Sequence, residues 1–247
     1  AWRMNNTASA IVGFTAVAAA TVGVWFAQRW RQGKSAQAEW AAKVALSNAL
    51  RKGPGDVVHL RYSWLNALNS LQLEGWDDLT HLDVSYNQLA SLSLLPNTPL
   101  SHLTYLDVSG NRKLRTLDSI QILSQTLVTF LASRCELSDL SPLDNFNLLE
   151  QLDLSNNLVS NFNIRLPALK KLNLRGNLIQ TLPASFCAST ELIELNLHGL
   201  GLKALPDGFS GLINLEHLCL RANKLNNIAA VEHLVNLIYL DLTKPGN

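Results

Sequence analysis

The sequence predicts an α/β solenoid in which short parallel strands line a concave face and irregular or 3₁₀ segments return along the convex side. A membrane helix and a capping helix are expected to precede it. Three observations carry the solenoid. The chain is self-similar from residue 57 onward, with successive units starting 20 to 24 residues apart. Each clear unit places an Asn (Asn87, Asn111, Asn157, Asn177, Asn223) after a short run of alternating apolar and polar residues. The segments between units contain "TLPASFCASTEL" and "ALPDGFSGLINL", which read as short turns rather than long helices. One such unit cannot bury its apolar face alone, so neighbours must stack.

The clearest copies are "LTHLDVSYNQL" from Leu79, "LTYLDVSGNRKL" from Leu103, "LEQLDLSNNLV" from Leu149, "LKKLNLRGNLI" from Leu169 and "LEHLCLRANKL" from Leu215. Weaker copies begin at Leu127 and Leu192, a divergent opener at Val57 and a truncated closer at Leu237. Over residues 57–242 this pattern resembles the leucine-rich-repeat superfamily. The resemblance implies a curved solenoid with a parallel sheet and an Asn ladder bonding backbone groups at each turn. Cys135 takes the Asn place in one unit, where it is expected to be scaffold rather than a reactive thiol. Leu200 takes it in another, where a rung of the polar ladder is expected to be missing.

Three columns of side chains alternate with the core leucines and are expected on the concave face. One runs His81, Tyr105, Thr129, Gln151, Lys171, Glu194, His217, Tyr239; the next runs Asp83, Asp107, Leu131, Asp153, Asn173, Asn196, Cys219, Asp241. The third changes from Ser85, Ser109, Ser133 and Ser155 to Arg175, His198 and Arg221. That cationic cluster suits an acidic partner, with Tyr105, His217 and Tyr239 as aromatic anchors. The aspartates belong to the wording "LDVS" and "LDLS", which commonly serves solubility. No general base, nucleophile elbow or phosphate loop accompanies them, so the expected function is not enzymatic, without cofactor or small-molecule substrate.

The overall charge of +1 hides an asymmetry. Residues 1–55 carry seven Lys/Arg against one acid, whereas the remainder carries thirteen against eighteen. An acidic body argues against nucleic acid as its ligand, because phosphate binding needs a basic face. Three dispersed cysteines and six dispersed histidines suggest neither a disulfide framework nor a metal site.

Domain boundaries follow at 1–34, 35–55 and 56–247. "ASAIVGFTAVAAATVGVWFA", residues 8–27, is uncharged and long enough, at ~1.5 Å per residue, to span a bilayer core of ~30 Å. A cleaved signal peptide leaves the apolar "TVGVWFA" and the weak basic start unexplained. Ser9, Gly13, Ala16, Ala20, Gly23 and Ala27 form one small-residue stripe, which lets membrane helices approach closely. Arg29, Arg31 and Lys34 follow at once, placing the repeats on the cytoplasmic or matrix-like side. Residues 1–38 lack any acid, a composition similar to organellar targeting segments, and the Ala1 start fits removal of a presequence. Residues 35–55 read as an amphipathic helix, capped by Ser35 and stopped at Gly53-Pro54-Gly55, that covers the first repeat.

The final strand "LIYLDLTKPGN" has no amphipathic segment after it, so Leu237, Tyr239, Leu240 and Leu242, within residues 234–247, are expected to contact a partner. The functional expectation is an accessory subunit of a multi-protein complex, single-pass and in the mitochondrial inner membrane, of respiratory-chain or ATP-synthase type, with the repeats on the matrix side. Its partners are then membrane lipid and other subunits. The alternative is a membrane-tethered adaptor recruiting a soluble partner such as a phosphatase. A receptor ectodomain ranks third.

Overall fold

A computed structural model describes residues 57–61, 65, 78–92 and 100–243. The expected membrane helix, its small-residue stripe and the capping helix lie outside the described residues. Among those described, no helix is long and apolar enough to cross a membrane.

Nine three-residue strands run in order through one parallel sheet. They are β1 (Val57–His59), β2 (His81–Asp83), β3 (Tyr105–Asp107), β4 (Thr129–Leu131), β5 (Gln151–Asp153), β6 (Lys171–Asn173), β7 (Glu194–Asn196), β8 (His217–Cys219) and β9 (Tyr239–Asp241). Each strand occupies the position the repeat assigns it. The register follows the repeat, so Leu82, Leu106, Phe130, Leu152, Leu172, Leu195, Leu218 and Leu240 form one continuous row. All but Leu240 are buried. Alternation with period two sends the flanking residues of each strand to the open face.

The convex side contains 3₁₀ segments at Ile120–Leu123, Ser141–Leu143, Ala184–Ala188, Phe209–Gly211 and Ala229–His233. Phe130, Phe146, Phe162, Phe186 and Phe209 are fully buried, and Phe162 meets Phe186 edge-on at 5.7 Å. These rings fill the width between sheet and returns that leucine alone leaves open.

The Asn ladder forms as expected. Asn157 is representative: its Nδ2 donates to Ala132 O at 2.7 Å and Leu154 O at 2.9 Å, while its Oδ1 accepts from Leu137 N at 3.0 Å. Each Asn thus ties its own turn to the preceding one. Cys135 substitutes weakly, with Sγ 3.5 Å from Val108 O, and burial pushes its thiol up to about 12. The thiol therefore stays protonated and acts as scaffold. Leu200, buried, supplies neither donor nor acceptor, so Leu197 O is bonded by Asn223 alone among these side chains.

Two features carry no obvious mark in the repeat. The residue before each ladder position is left-handed throughout: Tyr86, Gly110, Arg134, Asn156, Gly176, Gly199 and Ala222 all have φ between 55° and 74°. In addition, the carboxylate or amide ending most strands accepts from the backbone N two residues on. Asp83 serves Ser85, Asp107 serves Ser109, Asp153 serves Ser155, Asn173 serves Arg175, Asn196 serves His198 and Asp241 serves Thr243, all at 2.8–3.1 Å. These side chains close Asx turns. Solubility is therefore an incomplete account of the "LDVS" aspartates: they fix the bend where the chain leaves the sheet.

Candidate interaction surface on the concave face

The open face of β5 to β9 forms a shallow groove lined by Gln151, Asp153, Lys171, Asn173, Glu194, Asn196, His217, Cys219 and Tyr239. Its floor is the strand backbone, and its walls are the alternate side chains that the core leucines leave pointing outward. Lys171 Nζ and Glu194 Oε1 pair at 2.6 Å across the middle. On the rim below, Lys170 and Glu150 pair at 2.8 Å.

The expected aromatic anchors do not form one cluster. His217 and Tyr239, neighbours on β8 and β9, lie with ring centroids 6.3 Å apart. Tyr105 stands on β3, where it stacks on His81 at 5.4 Å. Four strands separate the two pairs, so Tyr105 belongs to a different part of the face. Burial raises the Tyr105 hydroxyl above its ordinary range, and the carboxylates of Asp107 and Asp83 add to this. Asp107 is raised chiefly by its own burial, against the hydrogen bonds from Ser109. Among the described residues no group of three His, Cys, Asp or Glu side chains is placed to hold a metal ion.

The third column departs from expectation in its first half. Ser85, Ser109 and Ser155 are buried rather than presented, and Ser133 is half-buried. The strand end turns inward there, and only a longer side chain reaches solvent. Arg175 and Arg221 do so, with half-exposed His198 between them. Burial lowers the His198 pKa and the two guanidinium groups lower it further, against the opposing pull of Asp241. Arg175, His198 and Arg221 thus stand on three successive repeats, with both guanidinium groups close enough to act on the imidazole.

At the far edge, β9 pairs on one side with β8. Tyr239, Leu240 and Leu242 are exposed and Leu237 is half-buried, with Val235 and Ile238 also exposed. The expected C-terminal contact residues are thus an apolar edge of this chain.

Stacked strand, Asn ladder and 3₁₀ return together make a solenoid of the leucine-rich-repeat type. The model for Leucine Rich repeats (2 copies) matches residues 77–121, and that for a single Leucine Rich Repeat matches residues 168–189. Among curated relatives, Tsukushi of Gallus gallus is 34% identical over 168 residues, covering 63% of this chain and 44% of that protein. Leucine-rich repeats and immunoglobulin-like domains protein 3 of Homo sapiens is 29% identical over 164 residues, 63% of this chain and 14% of that protein. An internalin (inlF) from Listeria monocytogenes superposes with TM-score 0.61 at 26% identity, covering 69% of this chain and 49% of the other. The TLR13 chain of a TLR13–ssRNA13 complex superposes with TM-score 0.60 at 27% identity, covering 72% and 27%. The chain spans less than half the length of each of these proteins.

Proposed function

We propose that the solenoid is a non-catalytic protein-binding module whose docking surface is the concave groove over β5 to β9. The observation carrying this is the composition of the groove: polar side chains beside the His217–Tyr239 ring pair, a lining that offers hydrogen bonding and stacking to a partner. Such a surface recognises by shape and hydrogen bonding rather than by chemistry. Its relatives support a contact role, since leucine-rich repeats are interaction modules in general.

The setting is read from the sequence. Residues 8–27 anchor the module in a membrane, and the small-residue stripe from Ser9 to Ala27 packs that helix among others. This supports an accessory subunit of a membrane complex. None of the relatives named above is described as a respiratory-chain component, so the mitochondrial inner-membrane form of that reading rests on residues 1–38 alone. The adaptor reading draws on a specific feature, the cationic row Arg175–His198–Arg221 beside the groove.

Native electrophoresis of the detergent-extracted chain separates the two. Co-migration with a large assembly at fixed stoichiometry, lost when Gly13, Ala16 and Ala20 are changed to Leu, supports the subunit. A free chain that captures a soluble protein supports the adaptor. In either case, cross-links from the captured protein should map to Lys171, His217 or Tyr239, and cross-links confined to the convex side overturn the docking surface.

A further inference from the structure

We propose that Arg175, His198 and Arg221 form an anion-reading row that docks an extended, glutamate- or aspartate-rich segment of a protein partner. This rests on the concave face being a docking surface and adds the chemistry of what docks there.

The decisive observation is a switch of two columns in the same three repeats. In the repeats of β2, β3 and β5 the strand ends on Asp and the next outward position is a buried Ser: Asp83/Ser85, Asp107/Ser109, Asp153/Ser155. In β6, β7 and β8 the pairs become Asn173/Arg175, Asn196/His198 and Cys219/Arg221. In β4 the carboxylate is absent without a cation, at Leu131/Ser133, whereas in β6, β7 and β8 its loss is accompanied each time by a basic side chain. Asn173 and Asn196 still accept from the backbone N of residues 175 and 198, at 3.1 and 3.0 Å. The Asx turn is therefore retained while its negative charge is dropped. A purely structural ladder has no use for that exchange, since Asp closes the same turn at 2.8–2.9 Å elsewhere.

The result is a row of cations whose own carboxylates have been removed. Among the described residues, none of the three has an ion pair within 4 Å of a carboxylate. Asp241 acts on His198 and Arg221 only from a distance. Like charges on adjacent repeats repel, and an anionic partner offsets that cost. The row is short. With strands ~4.8 Å apart it spans ~10 Å, room for two carboxylates on alternate residues of an extended chain, ~6.8 Å apart. A nucleic-acid backbone fits less well, because it is long and uniformly charged and would run onto Asp153 and Asp241 at either end of the row.

Fluorescence anisotropy on the full chain in detergent tests this with three probes. These are a labelled peptide of alternating glutamate and serine, its glutamine counterpart, and an oligouridylate of equal length. The glutamate peptide should bind, and weaken as salt rises, while the glutamine peptide does not bind. R175Q/R221Q should weaken the glutamate peptide at least about tenfold. R165Q/K203Q, which removes the same charge from exposed sites off the row, should leave binding within about twofold. Thermal unfolding confirms that both variants fold. Four results overturn the proposal: no binding of the glutamate peptide, equal binding of the glutamine peptide, equal losses in the two variants, or tighter binding of oligouridylate through the same arginines. A protein partner that still cross-links to the groove of R175Q/R221Q with undiminished affinity overturns the acidic reading alone and leaves the docking surface standing.

Discussion

Gly110 sits directly against the Tyr86 ring: a Cβ built on it would stand 2.8 Å from Tyr86 Cδ1. Both residues are left-handed, Gly110 with φ 74° and Tyr86 with φ 55°, because each precedes a ladder Asn in adjacent repeats. Gly110→Ala therefore meets two costs, backbone strain of about 1 kcal/mol and a clash with a ring that is packed in place. Gly199→Ala meets only the first, since nothing lies within 4 Å of its added Cβ at φ 71°. Chemical denaturation should show G110A losing about 2–3 kcal/mol and G199A about 1 kcal/mol. In a Tyr86→Ala background the G110A cost should fall to that of G199A. Equal costs in the wild-type background would show that the ring yields.

This left-handed column also marks where the sequence stops being legible. Gly110, Asn156, Gly176 and Gly199 are residues that accept positive φ readily, but Tyr86, Arg134 and Ala222 are not. Their neighbours in the stack impose the turn, and local preference yields to it. By contrast the strands were readable because a single periodicity sets their position, register and burial together. Cys135 was readable for the same reason, since it falls on the ladder. The burial of the Ser column was not legible because alternation gives direction and not reach: at the same turn position Ser85 is buried whereas the long Arg175 side chain is exposed. A shared column says nothing of distance along the stack, so the separation of Tyr105 from Tyr239 became visible only in the sheet.

The ladder itself should be energetically unequal along its length. Asn157→Ala strands Ala132 O and Leu137 N in a site where Asn157 is 4% exposed, so a loss of about 2–4 kcal/mol is expected. Cys135→Asn should act in the opposite direction. The Cys135 contact is a weak thiol bond to Val108 O, and an amide there would donate to that carbonyl more strongly, a gain of about 1 kcal/mol. Urea unfolding of both variants checks the pair, and a destabilised C135N would show that the cavity is shaped to sulfur.

Thiol reactivity follows from the same burial. Cys135 is buried with its pKa pushed up to about 12, so at neutral pH it offers almost no thiolate to an alkylating reagent. Cys187 and Cys219 are both half-buried. Pulsed alkylation with mass-spectrometric mapping should label these two in the native protein and Cys135 only after denaturant is added. Native labelling of Cys135 at a rate matching Cys187 would mean that the ladder opens locally.

His198 provides the pH dependence. The groups acting on it are Arg175 and Arg221, just past the strands of the repeats to either side, and Asp241 on β9. Burial and the two guanidinium groups outweigh the carboxylate, so its folded pKa lies below the unfolded value of about 6.5. Between those two values the unfolded chain binds more protons than the folded one, so stability rises with pH across that window. The contribution is fully present above about 6.5 and is lost as pH falls through the folded value. His198→Gln should therefore flatten the acid side of the stability profile measured by urea unfolding. Proton NMR should place the His198 titration below that of an unfolded histidine, and R175Q/R221Q should move it upward. Binding of the glutamate peptide should move it upward as well, because a carboxylate on the row favours the imidazolium, so the complex tightens as pH falls. An unmoved titration in R175Q/R221Q would show that burial alone sets the group, and that the three side chains do not act as one row.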